Sequence, residues 1–138
     1  MAYTAHNPTT IYADIVARLT SQTGKAVGES EAPAGAVQNA SLEPYVIVYP
    51  QLELFEGSLS DPNIIDEFTF QLTCVGGTMA HAQWMQHSAR AAVLGWAPTV
   101  AGFTPTPIRL VLGSGIARDD DVQPPVFYST DRFECFTS

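Results

Sequence analysis

The sequence predicts an α+β fold with the order α-β-β-α-β-β: a mostly antiparallel four-stranded sheet with two helices packed on one face. Three observations carry that reading. Two segments space their apolar residues at helical intervals. A third, Glu67 to Val75, alternates strictly with a period of two. The chain of 138 residues fits one domain, 1–138, with no internal repeat.

The first helix starts at Pro8, with Thr9 or Thr10 placed to cap its free amides. Ile11, Ile15 and Leu19 recur every fourth residue, flanked by Tyr12 and Val16, and Gly24 ends the run. Residues 24–43 show no periodicity and read as a long loop. Tyr45 to Tyr49 is apolar on both faces, the pattern of a strand covered on both sides, and Pro50 closes it. Residues 51–66 read as a strand extension or a protruding loop. Leu54 and Phe55 in that segment are sticky if exposed, which marks them as interface candidates.

In the period-two strand, Phe68, Phe70, Leu72 and Cys74 form the buried face. Gly76-Gly77 turns the chain into a second helix, Thr78 to about Leu94, with Thr78 as cap and Gly95 as stop. Ala82, Met85, Ala89, Ala92 and Val93 line its inner face. Trp84 falls off that stripe. Ile108 to Leu112 and Val126 to Phe136 are the last two strands, separated by Gly113-Ser114-Gly115 and an acidic turn, Asp119-Asp120-Asp121.

Composition excludes several classes. Hydrophobic residues make up 46% of the chain and charged residues only 14%, well below the roughly 25% usual in soluble domains. Scarce charge suits a surface covered by other subunits, and it also fits a plain, weakly charged monomer. The net charge of -8 argues against nucleic-acid affinity, which depends on Lys and Arg neutralising phosphates. No stretch approaches the ~20 apolar residues of a membrane span. The N-terminus lacks the basic and apolar regions of a signal peptide, so synthesis is expected in the cytoplasm. Cys74 and Cys135 then read as small buried hydrophobes.

No constellation for catalysis, cofactor or metal emerges. His81 and His87 are six residues apart on one helix and point roughly 240° apart. Asp119, Asp120 and Asp121 lack the alternating ligands, central Gly and terminal Glu of a calcium loop. Leu112-Gly113-Ser114-Gly115-Ile116 misplaces the glycines of a nucleophile elbow, and Arg118 stands where a dinucleotide loop needs its third Gly; a hairpin or loop turn explains these glycines. Trp84 and Trp96 read as packing or interface residues before ligand-stacking ones.

The segment "FTFQLTCVGGT" running into "AHAQWMQHSARAAVLG" resembles the strand–turn–helix junction of tail terminator (tail completion, minor tail) proteins of long-tailed bacteriophages. Ala80, Gln83, Trp84 and Arg90 stand at places comparable to the Ala-x-x-Trp element and downstream Arg of that family. The order of elements is similar over nearly the whole chain. His81 and His87 depart from the basic residues usual on that helix, and 24–43 and 51–66 match no family pattern.

The resemblance implies a non-enzymatic virion protein, made in the host bacterial cytoplasm and placed at the head–tail junction. Such a protein forms a ring, a hexamer in the family, on the head-proximal end of the tail tube. There it stops polymerisation of the major tail tube protein and meets the head connector or head-closure protein. DNA passes through without specific binding. No cofactor, metal or membrane is implied. Leu54, Phe55, Trp84, Arg90 and Phe127 are the expected contact residues, and Asp119, Asp120 and Asp121 the expected lumen-facing acids. The alternatives are another neck component (a head-closure or adaptor subunit), a small-ligand-binding α+β module, and a small hydrolase or transferase.

Overall fold

A computed structural model describes residues 8–33, 43–56, 65–99, 104–121 and 125–137; side chains at 8–10, 51–56, 65–67 and 137 are not among those described. Helix α1 spans Pro8–Thr23 and α2 spans Met79–Val93. The strands are β1 (Val27–Glu29), β2 (Tyr45–Glu56), β3 (Ile65–Gly76), β4 (Arg109–Gly113), β5 (Ala117–Asp119) and β6 (Val126–Thr137).

The α+β class holds, but the sheet is six-stranded and mixed, where the sequence reading expected four mostly antiparallel strands. Its order is β1-β2-β3-β6-β4, with β5 also paired to β6. The stretch 24–43 contains β1, which runs parallel to β2 through Val27↔Val46, Gly28↔Ile47 and Glu29↔Val48. Residues 51–56 and 65–66 lengthen β2 and β3, so the strand-extension alternative describes that backbone. The acidic turn also needs correction, because Asp119 belongs to β5 and pairs with Val126.

β4 and β5 are two halves of one interrupted strand. β4 follows β6 from Glu134 to Asp131 and β5 follows it from Tyr128 to Val126. Between them Ser114 stays attached: its N–H donates to the Thr130 carbonyl (3.0 Å), and the Thr130 N–H donates to Ser114 Oγ (2.7 Å). The glycines at this point therefore interrupt an edge strand, where a simple hairpin turn was one expectation.

Both helices lie on one face. Ile11, Ile15 and Leu19 of α1, and Ala82, Met85, Ala89, Ala92 and Val93 of α2, are buried against Val46, Val48, Phe68, Phe70, Leu72, Cys74, Phe133 and Cys135. Both helical stripes and the period-two strand thus face where their spacing predicted. Phe70 and Phe133 are cross-strand partners and stack at 5.3 Å between centroids. Such pairs add about 0.5–1.5 kcal/mol to the burial of the rings. On the opposite face Tyr45, Ile47, Val75 and Val126 form a smaller cluster with Tyr49 and Tyr128. β2 is accordingly covered on both sides, as its continuous apolar run required.

Thr78 caps α2 by accepting from the His81 N–H (3.2 Å). Arg18 serves the other end, its Nε donating to the Ala92 carbonyl (2.9 Å) while its guanidinium lies 5.4 Å over Trp96. Thr78→Ala should lower stability by about 1 kcal/mol, read as a shifted urea midpoint with unchanged slope. The capping side chains expected of Thr9 and Thr10 lie outside the described residues.

Cys74 and Cys135 sit on adjacent strands and on the same face, yet they are free thiols. Cys74 faces Ser129, and Cys135 lies six residues further along β6, opposite Phe68. That is about 20 Å away. Burial pushes both thiols up to about 12. A thiol whose folded pKa is raised stays protonated in the fold, where the unfolded chain would ionise near pH 8.5. The stability tied to this difference is complete below that pH and is lost as pH rises towards 12. Thermal melts should therefore fall steeply above about pH 9, and less so in a Cys74→Ala, Cys135→Ala double variant compared with its own neutral-pH value.

Candidate assembly surface

The densest polar arrangement among the described residues joins α2 to β6 and the β4 edge. Asp131, a carboxylate only 1% exposed, stands in the buried register of β6 between Ser129 and Phe133. Arg90 grips it with a two-pronged fork, Nε to Oδ2 and Nη2 to Oδ1, both 2.8 Å. Gln86 Nε2 adds a bond to Oδ1 (3.2 Å) and a second to the Ser114 carbonyl (2.9 Å). The carboxylate raises the Arg90 pKa above the ordinary guanidinium value, chiefly through these hydrogen bonds. The site pins the interrupted edge to the helix layer.

A second polar pair lies on the other face, where Glu134, nearly buried, is held by the Arg109 guanidinium. Arg132, one register step away and opposite Leu112, is exposed. Among the described residues Arg132 has no ion-pair, hydrogen-bond or ring partner. Every other cation is engaged: Arg18 with Ala92 and Trp96, Lys25 with Glu43, Arg90 with Asp131, Arg109 with Glu134, and Arg118 with Asp120.

The edge itself is apolar and bare. All five β4 residues are exposed, and Leu110, Val111 and Leu112 stand in succession, Leu112 at 64%. A β-bulge at Val111 lets Leu110 follow the Phe133 face while Leu112 follows the Arg132 face.

Trp84 is 45% exposed on α2, with the Lys25 ammonium 5.7 Å from its ring and Lys25 bonded to Glu43 (2.6 Å). That bond, with the charge of Lys25, lowers the Glu43 pKa. Arg90 is committed to Asp131, though a third of its side chain reaches the surface. Phe127 is half-buried on β6 opposite Gly76. Leu54 and Phe55 lie on β2, paired with Glu67 and Asp66, and their side chains are outside the described residues. Asp119 Oδ1 accepts from the Asp121 N–H (3.0 Å), and Asp120 pairs with Arg118 (2.6 Å), so the three acids stay together at the β5 end.

Sequence reasoning missed Asp131, Gln86 and Arg132. A signal for Asp131 was present, because Phe127, Ser129, Asp131, Phe133 and Cys135 share one parity, and a carboxylate in such a row demands a partner. Among the described residues no group of three or more His, Cys, Asp or Glu could hold a metal ion, and no helix is long and apolar enough to cross a membrane.

Two helices on one face of a mixed sheet, with a bare apolar edge, define an α+β layer fold. The same fold occurs in a chain of a solved structure titled "Virion of native gene transfer agent (GTA) particle", with a TM-score of 0.70, 12% sequence identity, and coverage of 94% of this chain and 96% of that one. At this identity the likeness is one of fold. No protein-family profile and no curated protein sequence matches the chain.

Proposed function

We propose that this chain is a structural virion protein that forms a ring at the head-proximal end of a phage-type tail tube, halts tube polymerisation and joins the tail to the head connector. The observation that carries the reading is the full-length fold likeness to a chain of a gene transfer agent particle. The junction of β3, Gly76-Gly77 and α2, which resembles that of tail terminators, supports the terminator reading over another neck component. Partners of this role are further copies of the chain, six in the family, the major tail tube protein and the head-closure protein.

Trp84, Arg90, Phe127, Leu54 and Phe55 remain the proposed contact residues. Arg90 would act through the edge it pins. The acids Asp119, Asp120 and Asp121 would face the lumen, where negative charge repels passing DNA. Replacing all three with Asn should slow DNA ejection while leaving ring formation intact; ejection at the original rate would remove them from the lumen.

The role itself is tested by polymerising tail tube protein with and without the chain and measuring tube lengths by electron microscopy. Uniform tubes bearing a density at one end are expected only when the chain is present. Unchanged length distributions and bare ends would defeat the reading.

A further inference from the structure

The edge strand β4 is the feature that the fold leaves uncompensated. Exposed edges are normally blunted by charge, proline or a covering segment, because their unpaired N–H and C=O groups recruit other strands. Among the described residues the segment after α2 covers only the start: Gly95 N–H donates to the Ile108 carbonyl (3.0 Å) and Ile108 N–H to the Trp96 carbonyl (2.9 Å). Beyond Ile108, β4 is the terminal strand and presents Leu110, Val111 and Leu112 to solvent on both faces. Apolar side chains on both faces of an edge call for a strand as occupant, since a helix would cover one face only.

Charge chooses which strand. Arg132, the cation without a described partner, flanks Leu112 on the helix-free face. The opposite edge of the same sheet is β1, where Glu29 and Glu31 are exposed and enter none of the described ion pairs. Gly28 pairs with Ile47, so its missing side chain would point to the helix-free face. A Cβ there would lie 2.0 Å from the Glu31 carbonyl. The Glu31 backbone therefore lies over the same face that carries Arg132. Trp84 lies on the β1 side of the molecule too, beside Lys25, two residues before this edge.

Strand direction agrees. β1 is parallel to β2, and three antiparallel steps (β2 to β3, β3 to β6, β6 to β4) leave β4 running opposite to β1. A neighbour generated by rotation about an axis along the strands thus offers its β1 antiparallel to β4, with well-aligned hydrogen bonds. Pairing two β4 edges about a two-fold axis would instead crowd Arg109 and Arg132 of both copies.

We infer that the β4 edge, with Leu112 and Arg132, docks on the β1 edge of a second copy of this chain, Arg132 meeting Glu31, in a head-to-tail contact. Contacts of this kind close into rings when the rotation permits. The inference rests on the proposed function for its ring, and supplies that ring with a polarity and named edges.

The test is sedimentation velocity over a wide concentration range on wild type, Leu112→Lys, Arg132→Glu, Glu31→Arg and the Arg132→Glu, Glu31→Arg double variant, each checked for an unchanged melting curve. Self-association should weaken about 30-fold in Leu112→Lys, the loss of an apolar hot spot. It should weaken about 10-fold in each single charge reversal and return in the double variant. If Glu31→Arg has no effect, or the double variant stays as weak as Arg132→Glu, the contact is not head-to-tail and the inference fails. A wild-type chain that is monomeric at every concentration also overturns it. The tube-length measurement is independent of these results: capping by a chain whose edge variants behave like wild type would leave the proposed function standing and the edge contact refuted.

Discussion

Arg90→Ala should destabilise the protein by about 3 kcal/mol. Removing one partner of a buried ion pair strands the other charge, at a cost of roughly 3–5 kcal/mol, and water reaching the partly exposed fork keeps the loss near the lower end. Asp131 would keep only the Gln86 amide, a single bond of 3.2 Å to one oxygen. Arg90→Lys retains the charge but offers no planar fork for both carboxylate oxygens, so about half of the loss should remain. An Arg90→Met, Asp131→Leu double variant should recover much of it, because a packed apolar pair avoids burying a lone charge. Urea unfolding of the four proteins measures all of these. A loss below ~1 kcal/mol for Arg90→Ala would mean that Asp131 finds water or another donor.

Gly76→Ala should cost a similar amount, about 3 kcal/mol, for a steric reason. A Cβ at this position would stand 2.5 Å from the Ala82 N and 2.8 Å from the His81 carbonyl carbon. Those atoms belong to the backbone of the first turn of α2 and cannot swing aside, so the helix must withdraw from β3. Overpacking of this kind costs about 1–3 kcal/mol, and a backbone clash belongs at the top of that range. Gly115→Ala is the matched control. Nothing lies within 4 Å of its Cβ, and it should stay within about 0.5 kcal/mol of wild type. Equal stability of the two variants would contradict the close approach of α2 to β3.

These predictions turn on features of unequal legibility in the sequence. The stripes Ile11, Ile15, Leu19 and Ala82, Met85, Ala89 could be read directly, because helical periodicity is local and each stripe has one large surface to meet. Phe68 to Cys74 was as clear, being an uninterrupted alternation in a central strand. β1 was hidden for the opposite reason: three residues, Val27-Gly28-Glu29, are too few for a period, and a parallel partner nineteen positions away leaves no hairpin signature. The glycines around Ser114 suggested a turn, since only the distant β6 shows that the chain continues along the same partner.

For the candidate surface, Trp84 was visible as the residue off its helix stripe, and it is exposed. The Arg90–Asp131 fork spans forty-one residues of sequence, and pairing at that distance is decided by strand order, which periodicity does not encode. Leu110 to Leu112 read as part of a strand, with no sign of which side would be covered. Their exposure follows from β4 standing last in the sheet, a topological fact.

The proposed function has this chain act by occupying a fixed place in a phage-type particle. The most direct measurement is a rotationally averaged electron cryomicroscopy reconstruction of the head–tail junction of phage-type particles purified from cells that express the chain. The account predicts a closed ring at the head-proximal end of the tube, into which the two-helix, mixed-sheet fold fits with each β4 against the next subunit's β1. A junction whose densities are all filled by other chains, with this one absent from purified particles, would contradict it.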